Sequence, residues 1–235
     1  MLVVDCRKFR IGLVGLVAFF IVLAMFLSPV AYGKTGLEYA GDLFNQLAKH
    51  SSYHIPDQAK EAEKFEGKAV EVAIKVKDAS EAEKITRIVT VAGAETKVDG
   101  EKVKIKADLG LLAKAALADA DALFKNQEQE IQARHRMGGR EVVYYWWNVF
   151  KSLNKKYLTE NLGSGANFTE SVMTKALEPA YNFARIEAAK FTERTGVVSF
   201  LLVFYVIYTV WYGFSILYLA EGLGIVAKAG EKKEA

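Results

Sequence analysis

The chain has 235 residues, a formal net charge of +3, 51% hydrophobic residues and a single cysteine, Cys6. Charge this close to balance supplies no basic field of the kind that gathers nucleic acid, so no nucleic-acid partner is expected. One thiol makes neither an internal disulfide nor a cysteine-built zinc site, so neither staples the fold.

In chain order, the first feature is an uncharged apolar run from Ile11 to Leu27, matched near the other end by Val197 to Ala220. About 20 apolar residues cross the roughly 30 Å hydrocarbon core of a bilayer as a helix. The two runs predict transmembrane helices over residues 11–30 and 197–220. Arg7, Lys8 and Arg10 precede the first run, and Lys228, Lys232 and Lys233 follow the second. Lys and Arg concentrate in short cytoplasmic segments, whereas long domains translocate largely regardless of charge. Residues 1–10 and 221–235 therefore read as cytoplasmic, with the central region across the membrane; in a bacterium this is an inner-membrane protein with a periplasmic domain. A competing reading takes the N-terminus as a secretory signal, with Ala31-Tyr32-Gly33 as a small-residue cleavage site.

Residues 31–67 read as a helix-and-loop linker. Leu37, Ala40, Leu43, Phe44 and Leu47 keep helical spacing, and His50 to Pro56 reads as a loop. Residues 68–137 then show a β-α-β-β-α order. Val70, Val72, Ile74 and Val76 alternate with polar positions as in a half-buried strand. Ser80 with Glu83 suggests a capping box, and Ile85, Ile88, Val89 and Ala92 form one helical stripe. Gly93 suits a left-handed C-terminal cap, and Asp99-Gly100 signals a hairpin. Asp108 is placed to cap the next helix, which is expected to run to Gly138-Gly139. The expected fold class is α+β: two transmembrane helices flanking a small βαββα soluble domain, split βαβ or ferredoxin-like, with additional long helices.

Residues 138–196 predict an aromatic amphipathic helix and a helical stalk. Trp146, Trp147, Phe150 and Tyr157 supply a large apolar face between basic flanks. Three placements compete for that face: the domain's own core, the membrane surface, and a partner subunit. Asn161 to Asn167 reads as a Gly/Ser loop, and Asn167 with Glu170 as a second capping signal. Pro179 kinks or starts a helix that continues through Ala180, Phe183, Ile186 and Phe191 into the second span.

Chemistry-bearing motifs are few. His50 and His54 lie four apart, candidate metal ligands set against two surface histidines, with no HExxH glutamate between them. His135, in Arg134-His135-Arg136, reads as a cation at a helix end. No nucleophile motif or phosphate loop is present, so no catalytic or cofactor residues are assigned and no enzyme is expected. In the second span Tyr205, Tyr208, Tyr212 and Ser215 recur at spacings of 3, 4 and 3, with Thr209 and Gly213 beside them. Hydroxyl groups facing hydrocarbon need partners, so this stripe is the expected helix interface. Gly12, Gly15 and Ala18 offer a small-residue face in the first span. The expected partners are lipid and either further membrane subunits or a second copy of the chain. The function expected is a non-catalytic structural or accessory subunit. A homo-oligomeric pore and a periplasmic sensor or ligand-binding module are the alternatives.

Overall fold

The computed structural model describes residues 3–29 and 33–225. The expected signal cleavage site at residues 31–33 lies mostly outside these residues, and Lys228, Lys232 and Lys233 lie wholly outside them. The chain forms two units, Asn45–Ala189 and a second built from Met1–Phe44 and Lys190–Ala235.

In the Asn45–Ala189 unit the period-two pattern becomes a three-stranded antiparallel sheet of β1 (Ala69–Lys75), β2 (Glu95–Asp99) and β3 (Lys102–Asp108), in the order β1-β3-β2. Val70 pairs with Ala107, Val72 with Ile105 and Ile74 with Val103, so the buried side chains of both strands share one face. β1 and β2 both run antiparallel to β3, and are therefore parallel to each other on either side of it. A ferredoxin-like sheet has a fourth strand; the described residues hold three, and the ferredoxin-like arrangement is not established.

Among the described residues the helices that complete this unit or enter it are α2 (Gly36–Ser51), α3 (Ile55–Glu63), α4 (Ala79–Val91), α5 (Leu109–Phe124), α6 (Glu128–His135), α7 (Gly139–Thr159) and α8 (Gly163–Val172), followed by a π-helical turn at Met173–Leu177 and α9 (Glu178–Asn182). Helix α5 is the hub, with Leu109, Leu112, Ala113, Ala116, Leu117, Ala120 and Leu123 all buried. Its close approach to α3 depends on Gly110, where an added Cβ would stand 2.5 Å from the Glu66 amide nitrogen and 2.8 Å from the Ala62 carbonyl oxygen. One hydrophobic cluster includes the sheet face, α5 and the apolar face of α7, with Trp146 and Phe150 fully buried.

Several local expectations shift. The cap of α4 is Asp78, which is extended and accepts from the Glu81 amide, while the Glu81 carboxylate accepts from the Lys77 amide. The cap therefore sits two residues before Ser80, and the Glu81 carboxylate reaches the amide ahead of the N-cap instead of closing the expected box at Ser80 and Glu83. The hairpin loop is Gly100-Glu101, since Asp99 pairs with Lys102. Asp108 caps α5 through the Leu111 amide, and Gly93 takes the left-handed conformation after α4, as expected. The helix begun at Leu109 ends at Phe124 rather than Gly138, because Asn126 adopts φ 61° and a separate short helix, α6, follows. Residues 163–167 are the first turn of α8 rather than a loop, and Asn167 caps nothing.

Pro179 explains the π turn. Proline lacks an amide hydrogen, and its ring collides with the carbonyl four residues back, here that of Lys175. Widening the turn at Met173–Leu177, with the Glu178 amide bonding back to the Met173 carbonyl, accommodates the ring. The expected continuous stalk into the second span does not form. The helix stops at Asn182, Arg185 takes φ 69°, and a new helix, α10 (Phe191–Gly222), starts after residues 184–190 have run without helix.

The other unit contains α1 (Cys6–Leu27) and α10, both long and apolar enough to cross a membrane. Few of their residues are fully buried, and Phe20, Ile21, Met25, Leu202, Val206 and Val210 are all exposed. A core helix of a water-soluble protein would be covered, so the surface is compatible with insertion in lipid. At about 1.5 Å per residue α10 is about 48 Å long, longer than a bilayer core, and its charged residues lie at its ends, Glu193 and Arg194 ahead of the apolar run and Glu221 after it.

Candidate functional site

Contacts between α1 and α10 order them as an antiparallel hairpin. Phe9 meets Gly222, Gly12 and Gly15 meet Ser215, Phe19 meets Tyr208 and Tyr212, and Phe26 meets Phe204. At one end Lys8 pairs with Glu221 at 2.8 Å, and the Val4 and Asp5 amides donate to the Gly222 carbonyl. Small residues set the spacing: a Cβ on Gly12 would lie 2.5 Å from the Leu219 nitrogen. This is the close backbone approach that glycine permits between membrane helices.

The hydroxyl stripe is divided by this contact. At about 100° per residue, Ser215 and Tyr208 lie at one edge, Tyr212 and Tyr205 in the middle, and Thr209 and Gly213 at the other. The α1 side takes the first edge: the Tyr208 hydroxyl donates to the Phe19 carbonyl at 3.0 Å, its ring stacks on Phe19 at 4.1 Å, and Ser215 is buried. Tyr212 rests partly against Phe19 and is 42% exposed. Tyr205 is 65% exposed and its hydroxyl makes no hydrogen bond among the described residues, and Gly213 has open space where a side chain would stand. Thr209 is satisfied by the Tyr205 and Val206 carbonyls of its own helix.

Helix α7 places its aromatic residues mostly inward. Trp146 and Phe150 are buried in the core, and Tyr157 packs over Gly165, where burial pushes its hydroxyl above the ordinary tyrosine range. Trp147 is half-buried and donates to Glu178 Oε1 at 3.0 Å. It lines an open groove of about 320 Å³ with Tyr144, Glu178, Tyr181 and Asn182, floored by Val143 and Leu177.

His50 lies in the last turn of α2, which ends at Ser51, and His54 precedes α3, with Pro56 in its first turn, so the loop expected over His50 to Pro56 is confined to Ser52 to His54. No group of three or more His, Cys, Asp or Glu residues close enough to hold a metal is found among the described residues. His50 borders a cleft of about 330 Å³ with Lys49, Tyr53, Asn126 and Glu187. Lys49 is only 2% exposed; its ammonium donates to the Ile186 carbonyl and to Asn126 Oδ1, and lies 5.0 Å over the Phe124 ring. Burial pushes its pKa below the ordinary lysine value, against the pull of nearby Glu187.

One constellation escaped the sequence reading. Asp119, 1% exposed, lies on the buried stripe of α5. Its Oδ1 accepts from Arg134, and its Oδ2 accepts from Trp146 Nε1 at 2.8 Å and lies 2.7 Å from His135 Nε2. His135 closes α6, the helix end expected for it, but is fully buried there, and its Nδ1 has no partner. The cluster joins α5, α6 and α7 as a clamp. A carboxylate at the core position between Ala116 and Leu123 was the available signal, because a buried charge must be paired.

Comparison with protein-family models, curated proteins and solved structures finds no match to this chain.

Proposed function

We propose that the chain is a non-catalytic, membrane-anchored accessory subunit, whose α1–α10 hairpin packs against further helices through the outer edge of the tyrosine stripe. In this reading both termini lie in the cytoplasm of a bacterium, the hairpin crosses the inner membrane, and the Asn45–Ala189 unit, with its split βαβ sheet, stands in the periplasm. The exposed Tyr205, with the open Gly213 about two turns further along α10, carries the proposal. A phenol facing hydrocarbon without an acceptor is unfavourable, and a neighbouring helix both supplies the acceptor and fits the notch at Gly213. Tyr208 and Ser215 give no such support, because α1 already occupies them.

Chemical cross-linking of native membranes, followed by mild solubilisation, tests this. Tyr205→Phe together with Gly213→Leu is expected to reduce recovered complex about 5-fold or more, at about 0.6 to 1.7 kcal/mol per interhelical hydrogen bond plus the lost close contact. Tyr208→Phe serves as the comparison, expected to weaken the hairpin rather than the complex. Recovery equal to wild type in the double variant would remove the interface from this face.

A further inference from the structure

We infer that the groove between α7 and α9 is a binding site for an alkylated ammonium group, of the trimethylammonium class. The inference stands apart from the hairpin reading, since every residue in it belongs to the Asn45–Ala189 unit.

The walls are three aromatic side chains, Tyr144 and Trp147 from α7 and Tyr181 from α9, above an apolar floor of Val143 and Leu177. The faces of such rings carry negative electrostatic potential and attract cations, most strongly where water is excluded. Two of the three rings already draw cations of the chain itself: the Lys151 ammonium lies 4.7 Å from the Trp147 centroid and the Arg140 guanidinium 5.4 Å from that of Tyr181. Both side chains are exposed, so moving them aside costs little burial.

Glu178 selects the charge of the occupant. Its Oε1 accepts from Trp147 Nε1, and Oε2 has no partner among the described residues. A carboxylate beside an apolar floor disfavours an anion and gains nothing from a neutral hydrocarbon, whereas a cation satisfies it. Among cations, sodium and primary ammonium ions lose strong hydration on entry; a methylated ammonium, whose surface is largely apolar, loses less and contacts the rings directly. The volume, about 320 Å³, lies at the small end of ligand clefts, which suits one headgroup rather than a peptide. The π turn before Pro179 sets the start of α9 that brings Glu178 and Tyr181 to the groove.

A trimethylammonium group reaches this site either as a free solute or as a lipid headgroup. The full chain in maltoside detergent is titrated with tetramethylammonium chloride by calorimetry, with sodium chloride as the reference, and the titration is repeated with phosphocholine. Flotation with phosphatidylcholine vesicles, against phosphatidylglycerol vesicles, then follows for chain reconstituted in nanodiscs free of choline lipids. Saturable tetramethylammonium binding is expected, weakened about 2- to 30-fold by Tyr181→Leu, as about 0.5–2 kcal/mol per cation–aromatic contact implies. Glu178→Gln keeps the acceptor for Trp147 and removes the charge, so it tests the electrostatic contribution without disturbing the groove; a similar loss is expected. Preferential flotation with phosphatidylcholine assigns the headgroup source, and soluble binding without it assigns the free solute. Absence of saturable tetramethylammonium binding, or binding left unchanged by both substitutions, overturns the inference.

Discussion

Replacing Asp119 by alanine is expected to lower the unfolding free energy of the Asn45–Ala189 unit by about 3–5 kcal/mol, the loss found when one partner of a buried ionic cluster is removed. The carboxylate accepts from Arg134 and Trp146 and faces His135 at 2.7 Å, so truncation leaves three polar groups, two of them in fully buried side chains, without their partner. Arg134→Met is expected to cost less, about 1–3 kcal/mol, because Arg134 is half-exposed and Asp119 keeps Trp146 and His135. Urea unfolding of the full chain in detergent, with amide hydrogen exchange read separately in α5, α6 and α7, measures both. All three helices should lose protection together in Asp119→Ala. A loss below about 1 kcal/mol, the size of an ordinary hydrogen bond, would show that the cluster is not the clamp.

The second large effect is expected at Gly12. A side chain there meets backbone, the Leu219 nitrogen at 2.5 Å and the Ser215 oxygen at 2.8 Å, and backbone cannot swing away. Overpacking of this kind costs about 1–3 kcal/mol or more, so Gly12→Leu should deplete the closed hairpin roughly 10-fold. Gly213→Leu has open space and should leave the hairpin intact. Pairs of spin labels at Arg7 and Leu223, in a Cys6→Ser background, distinguish the cases. A single narrow distance should persist in Gly213→Leu and broaden in Gly12→Leu; equal distributions in the two would contradict the packing described.

What the sequence made legible was periodicity. The alternation of Val70, Val72 and Ile74 placed β1, and two uncharged runs placed α1 and α10, because burial in a sheet or in lipid is written directly in side-chain hydropathy. The glycines and serine of the hairpin were visible as small faces, but which hydroxyl edge they covered depends on the rotation of α10, which composition does not encode. Arrangements set by distant partners were hidden. The helix expected through residues 180–196 is broken because Asn126 replaces its local bonds: its Oδ1 accepts from the Arg185 amide and its Nδ2 donates to the Ile186 carbonyl, 60 residues away in sequence. His135 read as a cation at a helix end because its neighbours are arginines, and only the fold buries it against Asp119. The groove at Trp147 was likewise half-legible: the aromatic face of α7 was evident, while Glu178 and Tyr181 reach it only through the turn that Pro179 imposes.

The central claim is that the hairpin crosses a bilayer and holds the Asn45–Ala189 unit on the side opposite the termini. Single cysteines in a Cys6→Ser background, one at Arg7 and one at the exposed Lys97 of β2, can be labelled in sealed vesicles with a membrane-impermeant maleimide. The account predicts that in vesicles of one orientation only one of the two positions reacts, and that the other reacts only after permeabilisation. Labelling of both from the same face, or recovery of the chain in the aqueous fraction, would contradict it.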